Sequence, residues 1–341
     1  MSAPVGAVLI LMMFGSGILL ARSWLARNRS GPVVHCACTP RLSGKVVVIT
    51  GATTGIGYEV TFALAKQGAC LILGCRNIRK GNDVANKIKN VTNNENISVI
   101  HLELESLQSC KTFAKEVLSR KSAISFLINN AAVFNVPTTK TVDGFERTWQ
   151  TNFLGAVVIT EHLKEDIGED IGGNKGIIFL SSESVDMVKS EDIMDTEQFT
   201  YVPNIVAFED RIKHYARTKH ALWMYATYLA YCQGKHPAYT VVSVDPGNTW
   251  TQIYRHSFWG SLSDLFTRWQ CSVFMRSPLE GAQTVLHCLN ALKISNGRCL
   301  KDCSVVRKPS RDTVERCPSF VANTHRKLAA YIPDQIFSPK R

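Results

Sequence analysis

The chain has 341 residues, 45% of them hydrophobic and 20% charged, with 39 Lys and Arg against 28 Asp and Glu for a formal net charge of +11. No acidic residue precedes Glu59, so part of the basic excess sits in the N-terminal arm, which suits an anionic membrane face. With no basic run interleaved with aromatics and no zinc-finger or helix-turn-helix signature, a nucleic-acid partner is excluded, and no Pro/Ser/Gly-rich linker divides the middle into two domains.

Residues 1–21 carry no charge, residues 5–20 are nearly continuously apolar, and Arg22, Arg27 and Arg29 follow. That length suffices for a thin or locally adjusted bilayer. A cleaved signal peptide has its basic residues before the apolar run, and a mitochondrial leader is amphipathic. Residues 1–30 are therefore expected to be a single-pass anchor with its basic flank, a cleaved leader being the alternative. The positive-inside rule then leaves the body in the cytosol. The sequons at Asn28, Asn90 and Asn96 matter only on a lumenal face, which makes them a test of topology. Eleven cysteines, several inside apolar elements, argue against a disulfide framework. Cys299 and Cys303 lack a second pair at zinc spacing, so no metal site is expected.

From Lys45 onward short β-branched runs alternate with longer amphipathic stretches, the pattern of crossover units and a parallel sheet. Strands are expected over 46–50, 71–74, 99–104, 124–129, 176–181 and 240–245, with one more near Cys299. Helices are expected over 58–67, 80–89, 107–118, 145–163, 215–231 and 279–292. The predicted fold is a single α/β domain, a Rossmann-type doubly wound parallel sheet, with chemistry gathered just after the strands.

The first strand runs into Gly51-x-x-x-Gly55-x-Gly57 and then a helix. Glycines allow a tight turn and close approach of backbone N–H groups to a pyrophosphate, and the helix start favours an anion. Gly51, Thr53, Thr54, Gly55, Ile56 and Gly57 are the expected cradle of a dinucleotide. After the second strand comes Arg76, with no acid before Asp83. An NAD enzyme places an acid there for the ribose 2′-hydroxyl, whereas an arginine pairs with a 2′-phosphate, so NADP (NADPH) is expected over NAD.

Tyr215 and Lys219 lie one helical turn apart on one face, and a nearby ammonium should draw the phenol's pKa down toward working pH. Tyr231 and Lys235 repeat the spacing, but run into Gly234 and Pro237, where a helix ends. Ser182 closes the fifth strand, placing a hydroxyl where it could polarise a carbonyl. Asn130 should face the cofactor. Asn152, costly in mid-helix, is expected to hold a water linking Lys219 to solvent.

In this order these motifs resemble the short-chain dehydrogenase/reductases over about residues 42 to 303. Within that family the chain is similar to the retinol dehydrogenase-like branch, and more closely to the oxidoreductase domain of WW-domain-containing oxidoreductases, without the WW domains. Shared features are Cys75-Arg76-Asn77, Asn130-Ala131-Ala132, Ser181-Ser182-Glu183-Ser184, the insert before Tyr215, Asp245-Pro246-Gly247-Asn248 and Gly297-x-x-x-x-Asp302-Cys303. The resemblance implies an oxidoreductase domain over 42–305, a C-terminal extension over 306–341, and an endoplasmic reticulum membrane location. It implies catalysis by Asn152, Ser182, Tyr215 and Lys219. Pro246, Gly247 and Thr251 would lie at the nicotinamide end, and Glu103, where the family has Asp, at the adenine amino group. Ala132 replaces a usual glycine, and Gly155-Ala156-Val157 lacks the usual His-Phe.

The aromatic-rich stretch 254–269 falls where the family's substrate lid lies, which points to a lipophilic substrate such as a retinoid, a steroid or an isoprenoid or fatty aldehyde. The rival reading is a cofactor-sensing interaction protein with the same fold and little catalysis. A homodimer is left open.

Overall fold

The apolar run Val46–Thr50 forms β1, and all five of its residues are buried, as expected for a strand with helices on both faces of its sheet. The computed structural model describes residues 42–167, 175–205, 207–231, 239–256, 275–290 and 296–333. After β1 the strands are β2 (Cys70–Cys75), β3 (Ile97–His101), β4 (Ile124–Asn129), β5 (Gly176–Leu180), β6 (Thr240–Val244), β7 (Arg298–Lys301) and β8 (Ser304–Arg307). They make one sheet in the order β3-β2-β1-β4-β5-β6-β7-β8, parallel except where β8 returns against β7. Val48 of β1 stands opposite Ile72 on one side and Leu127 on the other.

Helices α1 (Gly55–Lys66), α2 (Ile78–Thr92) and α6 (Pro278–Asn290) belong to one face, where Val47, Ile49, Val60, Leu64 and Val285 share a core. The other face carries α3 (Leu107–Ser119), α5 (Phe208–Tyr231), α7 (Arg311–Lys327) and a composite helix, α4. Here Val48, Phe113, Val157, Leu222 and Phe320 share the second core. Strand order reverses between β1 and β4, so their carboxyl ends open the crevice in which such sheets bind ligands.

Three departures from the expected elements bear on the site. The helix expected over 145–163 is instead Arg147–Trp149, π-helical Gln150–Leu154 and Gly155–Leu163, together α4. Helix α5 starts at Phe208, with Glu209 and Asp210 in its first turn favouring the helix dipole, so Tyr215 lies well inside the helix and not at its beginning. The third strand ends at His101 because its neighbour β2 ends at Cys75, and Leu102 N still donates to Cys75 O at 3.0 Å before the chain turns away.

β8 and α7 lacked a clear signal. The β7–β8 turn uses Asp302 and Cys303, both at positive φ (51° and 59°), where hairpins normally place Asn-Gly or Asp-Gly. Residues 1–41, including the expected anchor, lie outside the described residues. Among those described, no helix is long and apolar enough to cross a membrane.

Candidate active site

The crevice at the β1/β4 switch is a cleft of about 1200 Å³, open mouth included, lined at one end by Arg76, Glu103 and Glu105 and at the other by Tyr215, Lys219 and Pro246. Gly51, Thr53, Thr54, Gly55 and Ile56 floor it between them. Gly51 (φ +69°) and Gly55 (φ +59°) hold left-handed conformations that side chains resist. A Cβ on Gly51 would come within 2.9 Å of Ala131 Cα, and one on Gly55 within 3.1 Å of Thr251 Cβ. Gly57 does not line the cleft; a Cβ there would overlap Gly51 O and reach 2.6 Å from Asn130 Nδ2. Its smallness lets the first turn of α1 seat under the loop, and that turn carries no acid to oppose an anion. This cradle fits a pyrophosphate.

Asn130 lines the cleft, but its amide is engaged with the turn itself. Nδ2 donates to Thr50 O at 2.8 Å and Gly51 O at 3.0 Å, while its backbone N–H and that of Ala131 donate to Thr50 Oγ1, both at 3.1 Å. Asn130 thus locks β4 to the glycine turn. Thr251 closes the cleft against Gly55, as the contact above shows, and Pro246 borders the same end. Gly247 (φ +68°) lies outside the lining, in a turn where Arg276 packs so close that a Cβ would sit 2.9 Å from its Cζ. Arg276 in turn is held by both oxygens of Asp302 at 2.7 and 2.9 Å.

At the other wall, Lys219 is 2% exposed, donates from Nζ to Leu180 O at 2.7 Å, and sits 5.7 Å from the centre of the Tyr215 ring. Burial lowers its pKa to about 8. For Tyr215 the expectation of a lowered pKa is overturned. Burial, reinforced by Tyr254 and Asp245, pushes the phenol above its ordinary value, because a desolvated, partly neutralisable lysine cannot offset the loss of water around a phenolate.

Asn152 is 1% exposed and does not line the cleft. Its Oδ1 accepts from Val133 N at 2.7 Å, and Nδ2 donates to Val133 O at 2.9 Å and Thr218 Oγ1 at 3.2 Å. The side chain therefore clamps the loop after β4 to α5 just beside Tyr215. It sits in the π-helical turn, and such turns are frequent at functional sites. Ser182, expected to face the substrate, follows β5 half-buried and does not itself line the cleft, which Leu180 and Ser181 do; its Oγ accepts from Ser184 N at 3.2 Å and so keeps its own O–H for another acceptor.

The structure adds residues that sequence reading did not single out. Ser181 and Thr151 both line the cleft with buried hydroxyls that make no hydrogen bond to the described residues. Phe134 packs edge-to-face on Tyr215 at 5.2 Å, on Tyr254 at 5.7 Å and on Phe208 at 6.1 Å, and Trp250 stacks on Tyr254 at 5.8 Å. Ser181 entered the sequence reading only as part of Ser181-Ser182-Glu183-Ser184, and a lone threonine or phenylalanine carries no motif, so tertiary contact alone reveals Thr151 and Phe134. Most of the expected lid, residues 257–269, falls outside the described residues, as does Lys235 of the second Tyr/Lys pair. Tyr231 of that pair bonds Asn296 O at 3.2 Å. Among the described residues no three His, Cys, Asp or Glu side chains are grouped to hold a metal.

The family model described as short chain dehydrogenase matches residues 45–191. Over 302 residues the chain is 32% identical to retinol dehydrogenase 11 of Homo sapiens, covering 87% of this chain and 89% of that protein. It belongs to the short-chain dehydrogenase/reductase family. Polyprenol dehydrogenase of Homo sapiens is 30% identical, with 82% of each chain covered, and WW domain-containing oxidoreductase of Gallus gallus is 31% identical over 74% of this chain and 60% of that one. The chain is a retinol dehydrogenase-like member of the family and an NAD(P)-dependent oxidoreductase.

Proposed function

We propose that this dehydrogenase/reductase uses NADP to interconvert an alcohol and a carbonyl on a lipophilic substrate, a retinoid, a steroid or an isoprenoid or fatty aldehyde. The observation that carries the reading is that Tyr215 and Lys219 line the same cleft as the glycine turn. Arg76 at the far end, with no acid on its own strand end, supports a 2′-phosphate. The aromatic group of Phe134, Phe208, Trp250 and Tyr254 beside Tyr215 supports an apolar substrate, and the names of the relatives point to retinol and polyprenol.

In this reading Gly51 to Gly57 hold the pyrophosphate, Arg76 and Glu103 the adenosine end, and Pro246, Gly247 and Thr251 the turn at the nicotinamide end. Bound NADPH would supply the hydride. Ser182 Oγ donates to the substrate oxygen and Tyr215 gives or takes its proton. Lys219, cationic below about pH 8, binds the nicotinamide ribose. Asn152 holds the relay end in place through its clamp on α5. Residues 1–30 would anchor the body to the cytosolic face of the endoplasmic reticulum membrane, the uncharged run and following arginines being the support.

The test titrates NADPH and NADH against wild type and Arg76→Asp, then offers NADPH with all-trans-retinal, a ketosteroid and a long-chain aldehyde. The reading expects at least one substrate to turn over and the aspartate to weaken NADPH by about tenfold or more, roughly 1.4 kcal/mol or above, while sparing NADH. Bound cofactor with no turnover of any of the three contradicts it.

A further inference from the structure

Arg147 takes no part in the proton chemistry and does not line the cleft. As the first residue of α4 its backbone N–H is fixed on Thr139 O at 2.9 Å. Its guanidinium forks onto one carboxylate oxygen: Nε and Nη2 both lie 2.8 Å from Glu105 Oε1. That same oxygen is 3.9 Å from Arg76 Nη1, and Arg76 Nε is 3.6 Å from Glu103 Oε2. Both contacts of Arg76 exceed hydrogen-bond length and its side chain is 60% exposed, whereas those of Arg147 are charge-assisted hydrogen bonds between half-buried groups. Glu105 thus belongs to Arg147, and Arg76 is only loosely shared between two carboxylates.

We propose that Arg147 determines cofactor specificity by neutralising Glu105, which leaves Arg76 free to pair with a ribose 2′-phosphate. With Arg147 present the rim carries two carboxylates against two guanidiniums. Without it, two carboxylates face Arg76 alone; Glu105 then turns Arg76 toward itself and repels the phosphate. NADH, which has no such phosphate, is nearly indifferent to the change. The inference rests on the assignment of Arg76 to the 2′ end made above. It concerns the change in the NADPH/NADH ratio, not the ratio of the wild type.

The test measures dissociation constants of both cofactors, by quenching of intrinsic fluorescence, for the full chain and for Arg147→Gln, Glu105→Gln and the double variant. Arg147→Gln is expected to weaken NADPH about tenfold, roughly 1.4 kcal/mol, and NADH by less than about threefold, roughly 0.65 kcal/mol. Adding Glu105→Gln should bring NADPH back to within about threefold of wild type, again roughly 0.65 kcal/mol. Equal weakening of both cofactors, or a ratio that stays put, overturns the proposal and leaves Arg147 a structural brace. Should Arg147→Gln fail to fold by circular dichroism, Glu105→Gln alone decides. Releasing Arg147 predicts tighter NADPH with NADH unchanged, and NADPH unchanged or weaker overturns it. A wild type that prefers NADH refutes the NADP reading separately, and the effect of Arg147→Gln still decides this one.

Discussion

Tyr215, partly buried on the cleft wall, and the buried Lys219 lie with Nζ 5.7 Å from the ring centre, and each is shifted away from its charged form, the phenol upward and the ammonium down to about 8. Loss of water dominates both, so the pair is set to respond to whatever charge enters the cleft. A difference spectrum of wild type minus Tyr215→Phe, recorded near 295 nm in cofactor-free protein, should show no tyrosinate from this residue up to its ordinary pKa of about 10. Appearance of that signal near pH 8 would mean that Lys219 governs the phenol after all.

At this scale the glycines, Tyr215 and Lys219 were legible because each carries a backbone or spacing requirement of its own. Thr151, Phe134 and the Arg147–Glu105 pair were not, since their roles depend on which distant segments the sheet brings together. Asn130 and Asn152 stood out in the sequence, but Asn152 lies outside the cleft lining, and both side-chain amides are bonded to the protein, Asn130 to the glycine turn and Asn152 to Val133 and Thr218.

At the scale of elements, two buried carboxylates join the helices that carry the site. Glu146 is fully buried; it accepts from Trp149 N at 2.9 Å and Thr148 Oγ1 at 3.1 Å, and lies 3.0 Å from His214 Nε2 on α5, one residue before Tyr215. Glu161 on α4 accepts from Tyr225 on α5 at 2.6 Å, lies 3.2 Å from His325 Nε2 on α7 and 2.6 Å from Lys164 Nζ. Burial alone would raise the pKa of Glu161, yet the bonds and charges of His325 and Lys164 hold it down to about 2.

A carboxylate depressed in the folded state adds stability that is present above its unfolded pKa and lost as pH falls through the folded one. Glu161 therefore contributes on the order of 3 kcal/mol at neutral pH, lost between about pH 4.5 and 2. Equilibrium unfolding of Glu161→Gln should show a flatter pH dependence across that window; a slope equal to wild type would exclude the role.

Packing beside this junction gives a second check. Phe153 is fully buried, 5.7 Å from Phe320 of α7 and 5.8 Å from Phe199. Phe153→Ala should cost about 3–5 kcal/mol in denaturant unfolding, and a loss under 1 kcal/mol would show that α7 is not part of the core.

For the whole molecule, the alternation of β-branched runs and amphipathic stretches made the parallel sheet legible from β1 to β7, because the central strands β1, β4 and β5 are buried on both faces and each crossover needs a helix. The edge was harder to read. Val305 and Val306 of β8 are both exposed (44% and 52%), so that strand shows no inward-facing alternation, and Pro318 inside α7 argues locally against a helix that the packing of Phe320 enforces. The π-helical turn that carries Asn152 has no sequence signature beyond the misplaced asparagine. Topology is open to a direct check, since Asn90 and Asn96 are exposed sequons: in cells both should stay unglycosylated, and a glycan on either would place the body in the lumen.

The central claim is that Tyr215 moves the proton while hydride is exchanged in the same cleft. Single-turnover transfer of deuterium from deuterated NADPH to the substrate that turns over, with cofactor affinity measured on the same samples, tests it for wild type and Tyr215→Phe. The account predicts labelled product from wild type, and for the phenylalanine variant a rate lower by about 10²–10⁴ with cofactor affinity within about threefold, or 0.65 kcal/mol, of wild type. Undiminished transfer by Tyr215→Phe would contradict it.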